Sequence, residues 1–174
     1  YGLISGGSFF SFIQKNAGGL LKRDKKILEE VITRCIKIKA SVVSSDEKEK
    51  GLRKILNLGH TFAHSYESTM GYSIKHGAAV IIGLACAVIL SYRLELLSRK
   101  NFILLSSFLK DFNPGSNFKG LDKESLYNVM LHDKKNREGK IKFVLPLDQG
   151  NIALDCEAGK EDVIFTLDEV ENFF

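Results

Sequence analysis

The stretch from Ala78 to Leu97 constrains the fold most, because it is apolar nearly all round until Tyr92. A helix without a polar face has to be surrounded by other elements, so this one is expected at the centre of a bundle. Its apolar run ends at Leu90, short of the ~20 residues that cross a bilayer. Amphipathic segments can supply the surroundings. Residues 8–15 (SFFSFIQK) form a short one, ended by Asn16 and the breaker Ala17-Gly18-Gly19. Asp24 can cap a long helix from about Lys25 to Val43, in which Ile27, Leu28, Val31, Ile32, Cys35, Ile38 and Val42 keep the helical period. Further helices are expected over Asn101–Phe112, from the capping residue Asp122 to about His132, and over Lys160–Phe174. Lys140 to Leu147 alternates as a strand does, and Asp148-Gln149-Gly150 can turn it back onto Asn151–Cys156. The fold class is therefore mainly α: one helical bundle domain, residues 1–174, with a small C-terminal β-hairpin.

Just before the central helix the sequence reads RKILNLGHTFAHSYESTMGYSIKHGAA, from Arg53 to Ala79. A single helix from about Leu52 to Thr69 would place Arg53, Asn57, His60 and His64 within an arc of about 60°. The flanking Ile55, Leu56, Leu58 and Phe62 are apolar. His76 follows a turn-like Met-Gly-Tyr-Ser segment, so three of the chain's four histidines lie close together. A lone histidine beside apolar residues is more often a satisfied core group than a ligand. Four polar groups at helical spacing are different, because buried polar groups need partners. Imidazole is the commonest side-chain ligand for zinc-like metals, and two histidines on a helix with a third on a following loop suit an open metal site. The glutamate of HExxH is missing, which argues against a zincin protease.

The formal charge of +4 is mild and suits an anionic small molecule, and no basic stripe interleaved with aromatics points to nucleic acid. Cys35, Cys86 and Cys156 are widely spaced and read as buried thiols of a reducing, cytoplasmic compartment. Gly-rich phosphate loops and dinucleotide-binding fingerprints are absent. Tyr1-Gly-Leu-Ile-Ser-Gly-Gly-Ser starts neither a signal peptide nor a helix, so the chain is expected to be part of a longer protein.

Taken together, Lys39, Asp46 to Arg53, Leu56-Asn57-Leu58-Gly59-His60-Thr61-Phe62, His64, Glu67, Gly71-Tyr72, His76-Gly77 and Asp133-Lys134-Lys135 resemble 3-dehydroquinate synthase, over the C-terminal helical half of that enzyme. The resemblance implies a lyase of aromatic amino-acid precursor synthesis. Such an enzyme converts 3-deoxy-D-arabino-heptulosonate 7-phosphate to 3-dehydroquinate and phosphate with NAD and a divalent metal, Zn or Co. It implies His60 and His76 as metal ligands and His64 as a proton relay or a hydrogen-bonding partner of the substrate. Lys39, Arg53 and Asn57 would hold the substrate carboxylate and hydroxyls, Glu49 would orient one of those cations, and Lys134 or Lys135 would meet the phosphate end. The family's third metal ligand, a glutamate, and a further lysine would fall upstream of Tyr1, as would the NAD-binding α/β domain. The 174 residues alone are therefore expected to be inactive, and the full-length enzyme to be a homodimer, with no nucleic acid or membrane as partner. One departure stands at Ala78, where the family commonly has glutamate, and Ala63 replaces a usual glycine.

Two other readings fit the same residues. A sister sugar phosphate cyclase of the valiolone or inosose type would share the scaffold, but Lys39, Arg53 and Asn57 together favour a carboxylate-bearing substrate. A non-catalytic helical interaction module could retain the site residues by descent.

Overall fold

A computed structural model describes residues 1–48, 51–115, 117–132 and 140–174. The central position expected for the apolar stretch belongs to α6 (His76–Arg93), with Ala79, Ile82, Gly83 and every residue from Ala85 to Ser91 buried. It packs against α5 (His60–Thr69), α7 (Arg99–Lys110), α9 (Lys160–Phe173) and β1 (Lys142–Asp148). With 18 residues and a mean hydropathy of 1.6, α6 reaches the length and composition of a membrane span, contrary to the shorter run read from the sequence. Its enclosure on several sides explains that composition: a helix that touches protein all round is apolar all round.

The helix ends earlier than expected. Glu95 has φ of +58°, and the amides of Leu96 and Leu97 return to the Ser91 carbonyl, so the chain reverses after Arg93. Ser98 then caps α7 by accepting from the Asn101 amide. Asp24 and Asp122 act as expected: their carboxylates accept amide hydrogens of the first turns of α4 (Lys25–Ser45) and α8 (Lys123–Leu131).

The N-terminal segment is more helical than its glycines suggest. Gly2–Ser5 forms one turn (α1), Gly7–Lys15 forms α2, and Ala17–Leu21 forms α3 across the expected breaker. Asn16 alone separates α2 from α3, its amide shared between the Phe12 and Ile13 carbonyls. The apolar face of α4 divides. Val31, Cys35 and Ile38 lean on the core, whereas Ile32 and Ile36 are 54% and 63% exposed.

The hairpin pairs β1 antiparallel with β2 (Asn151–Glu157), and polar links among the described residues help to join it to the bundle. The Ser91 hydroxyl donates to the Pro146 carbonyl at 2.5 Å from the buried face of α6. The Gly150 amide in the turn donates to the Leu3 carbonyl of α1. Lys54 donates to both oxygens of Asp155, at 3.0 and 2.7 Å, which links β2 to the segment before α5. Of the three thiols, Cys86 alone is fully buried, because α6 carries it into the core of the bundle; Cys35 and Cys156 are half-buried, contrary to expectation.

Candidate active site

One continuous helix does not carry the four polar residues. Leu52–Asn57 is a 3-10 segment, Leu58 is extended, and Gly59 adopts φ of +76° before α5 begins at His60. Arg53 and Asn57 therefore lie on a separate element from His60 and His64. Gly59 explains the break. A Cβ there would stand 2.8 Å from the Gly83 carbonyl carbon, and one on Gly83 would stand 2.2 Å from the Gly59 oxygen. The two backbones touch, with Ala63 buried beside them, and only a glycine in the left-handed region can make the turn at that contact. This crossing fixes α5 against α6, and with it the imidazoles that the two helices carry.

His60 opens α5, His64 follows one turn later, and His76 opens α6, where the sequence had suggested a loop. The ring centroids of His60 and His76 are 5.9 Å apart, and those of His60 and His64 are 5.6 Å apart in an edge-on arrangement. His60 Nδ1 lies 3.2 Å from the Leu58 carbonyl, and His76 Nδ1 lies 2.8 Å from Glu67 Oε1. Both partners are acceptors, so each Nδ1 donates, and in the neutral rings each lone pair sits on Nε2. Two imidazoles reaching ~2 Å to one cation have centroids about 5–6 Å apart, so the pair fits a zinc-like ion in spacing and donor type. Among the described residues no three His, Cys, Asp or Glu side chains form a group that could hold a metal, so a complete coordination sphere needs a further donor.

The 3-10 segment is positioned from both sides. Asp46, which ends α4, accepts from the amides of Gly51 and Arg53 at 2.8 and 3.0 Å, while the Lys54–Asp155 pair holds the segment to the hairpin. Arg53 directs a guanidinium nitrogen to the Glu47 carbonyl at 3.0 Å. Asn57 is half-buried at the end of the segment. Lys39 is exposed on α4 and makes no hydrogen bond or ion pair with the histidines among the described residues. Glu49, Lys134 and Lys135 lie outside the described residues.

A cavity of about 700 Å³ opens between α5 and α8, lined in part by His64, Glu67, Tyr72, Asn128 and His132. The fourth histidine thus faces the same space as His64. A cavity of about 740 Å³ between the C-terminal part of α6, α7 and α9 contains none of the candidate residues and is lined by Tyr92, Phe102 and Phe165. Sequence reasoning assigned no role to Asp46, Glu67 or His132. The available signal for Glu67 was its place two turns after His60, on the same face of α5.

Comparison with known proteins resolves what this arrangement belongs to. Residues 1–136 match the family described as 3-dehydroquinate synthase C-terminal. The 3-dehydroquinate synthase of Thermodesulfovibrio yellowstonii is 40% identical over 171 residues, covering 97% of this chain and 48% of that protein. That of Campylobacter fetus is 40% identical over 157 residues, covering 90% and 44%. This chain belongs to the 3-dehydroquinate synthase family. It spans about half the length of these relatives. Among solved structures, the 2-epi-5-epi-valiolone synthase of Streptomyces hygroscopicus with NAD+ and Zn2+ bound superposes with a TM-score of 0.79 over 98% of this chain and 48% of its own; at 17% identity this shows the fold. A 2-deoxy-scyllo-inosose synthase complexed with carbaglucose-6-phosphate, NAD+ and Co2+ gives a TM-score of 0.71 at 25% identity, over 83% and 41%. The domain therefore has the fold of the C-terminal half of a sugar phosphate cyclase.

Proposed function

We propose that this chain is the metal- and substrate-binding half of an enzyme that converts 3-deoxy-D-arabino-heptulosonate 7-phosphate to 3-dehydroquinate and phosphate, with NAD held by an N-terminal α/β domain outside these residues. The observation that carries the reading is the pairing of His60 and His76, 5.9 Å apart at the starts of α5 and α6, within a chain 40% identical to a 3-dehydroquinate synthase. A divalent cation at the two imidazoles would supply Lewis-acid polarisation of the substrate oxygen that is oxidised and reduced again. His64, one turn from His60 and exposed to the cavity, is suited to accept or return a proton at a substrate hydroxyl. Arg53 offers a planar guanidinium for the carboxylate, and Asn57 an amide for hydroxyls. On the family resemblance, Lys39 is assigned to the same polar end of the substrate, Glu49 to orienting one of these cations, and Lys134 or Lys135 to the phosphate.

The test is phosphate release from the heptulosonate phosphate in the presence of NAD. Enzyme expressed with its N-terminal half is expected to turn over, and its His60→Ala and His76→Ala variants are expected to lose the activity. The 174 residues alone are expected to give none. Turnover of a carboxylate-free heptulose phosphate in place of the heptulosonate would overturn the substrate assignment in favour of a sister cyclase.

A further inference from the structure

We propose that Glu67 is the positioning residue for His76: its carboxylate fixes the tautomer and the orientation of the imidazole that α6 offers to the metal. The inference rests on the reading of His60 and His76 as metal ligands and extends it to a residue one shell further out. His76 is the first residue of its helix and its side chain is 64% exposed, so packing alone leaves the ring free to turn. Glu67 is its opposite, with a side chain only 13% exposed and carried by the last turn of α5. The Glu67 carbonyl also accepts the Tyr72 amide at 2.7 Å, which closes the turn leading to α6. Across this gap His76 Nδ1 approaches Glu67 Oε1 to 2.8 Å.

A carboxylate accepts only, so Nδ1 carries a proton, and in the neutral ring the lone pair sits on Nε2. An imidazole in solution favours the other tautomer, with the proton on Nε2, where it would block coordination from that nitrogen. The carboxylate thus selects the ligating form, limits rotation of the ring and adds electron density to the donor. The placement also couples the two helices. α5 contributes His60 as one ligand and, two turns later, the group that aims the ligand of α6, so the spacing of the imidazoles is set twice, at the Gly59–Gly83 crossing and at this hydrogen bond. An ordinary exposed ion pair would leave the metal unaffected when removed.

The experiment compares Glu67→Met, which keeps length and removes the acceptor, Glu67→Gln, which keeps an acceptor without the charge, and His76→Ala, all in the enzyme expressed with its N-terminal half. Zinc affinity is read by competition with a chromophoric chelator, and the His76 tautomer of the metal-free protein by ring 15N NMR. Glu67→Met is expected to weaken zinc binding about 10–100-fold, with Glu67→Gln between it and the parent. The parent is expected to show His76 protonated on Nδ1, and Glu67→Met a shift toward the Nε2-protonated form. If His76→Ala loses zinc while both Glu67 variants bind within about threefold of the parent, the role of Glu67 is refuted and the ligand reading stands. If His76→Ala binds zinc as the parent does, the ligand reading fails, and the role of Glu67 fails with it. Should Glu67→Met not fold, the affinity and tautomer of Glu67→Gln decide: parent-like values in both overturn the proposal.

Discussion

Replacing Gly83 with alanine tests the physical origin of the site most directly. The added Cβ would lie 2.2 Å from the Gly59 carbonyl oxygen and 3.0 Å from the Ala63 amide nitrogen. The first of these is more than about 1 Å inside ordinary contact distance. Both atoms are backbone, so no side-chain rotation relieves the clash and the helices themselves must part. Overpacking of this kind costs about 1–3 kcal/mol, and the rigidity of both partners places Gly83→Ala near 3. Gly59→Ala adds a left-handed alanine at φ of +76°, a further ~1–2 kcal/mol, for about 2–5 in all. The two substitutions act on one contact, so the double variant is expected to lose less than the sum. Gly77→Ala is the control: a Cβ there meets nothing within 4 Å, and helix propensity favours alanine by up to about 1 kcal/mol. Urea unfolding followed by far-ultraviolet circular dichroism reads all four. A loss below about 0.5 kcal/mol for Gly83→Ala would refute the claim that backbone contact at this crossing sets the helix spacing.

Two further outcomes follow from the packing and the charges. Ser91→Ala removes the buried donor to the Pro146 carbonyl and should cost about 1–3 kcal/mol in the same unfolding assay, because the carbonyl is left buried without its partner. The hydrogen bond from Lys123, aided by the Gly120 amide, holds the Glu171 carboxyl below its ordinary 4.5. That pair therefore adds stability above about pH 4.5, which is lost as pH falls through the lower folded value. Glu171→Gln should flatten the acid limb of a stability–pH curve, and an unchanged slope as pH falls below about 4.5 would contradict the assignment.

Local chemistry settled much of the architecture from the sequence. Asp24 and Asp122 cap helices because a short carboxylate after a loop meets the first free amides, a rule that needs no distant partner. The alternation of KIKFVLPL and the turn at Gly150 were enough for the hairpin, and the all-round apolarity of α6 was enough for its central place. The motif around His60 and His76 identified the family, since residue identity at fixed spacing survives any error in the backbone between.

Tertiary contact decided the rest. Periodicity ran Arg53 to His64 into one helix because nothing local forbids it. The break comes from Gly83, a residue of another helix, whose backbone leaves room at Gly59 for glycine alone and forces the turn that starts α5 at His60. The same is true of the partners of the site. Asp46 braces the 3-10 segment, and Glu67 meets a histidine nine residues further on, across a helix junction. Spacing within one element records which side chains share a face. Which faces meet depends on how closely two backbones can approach, and here two glycines set that distance.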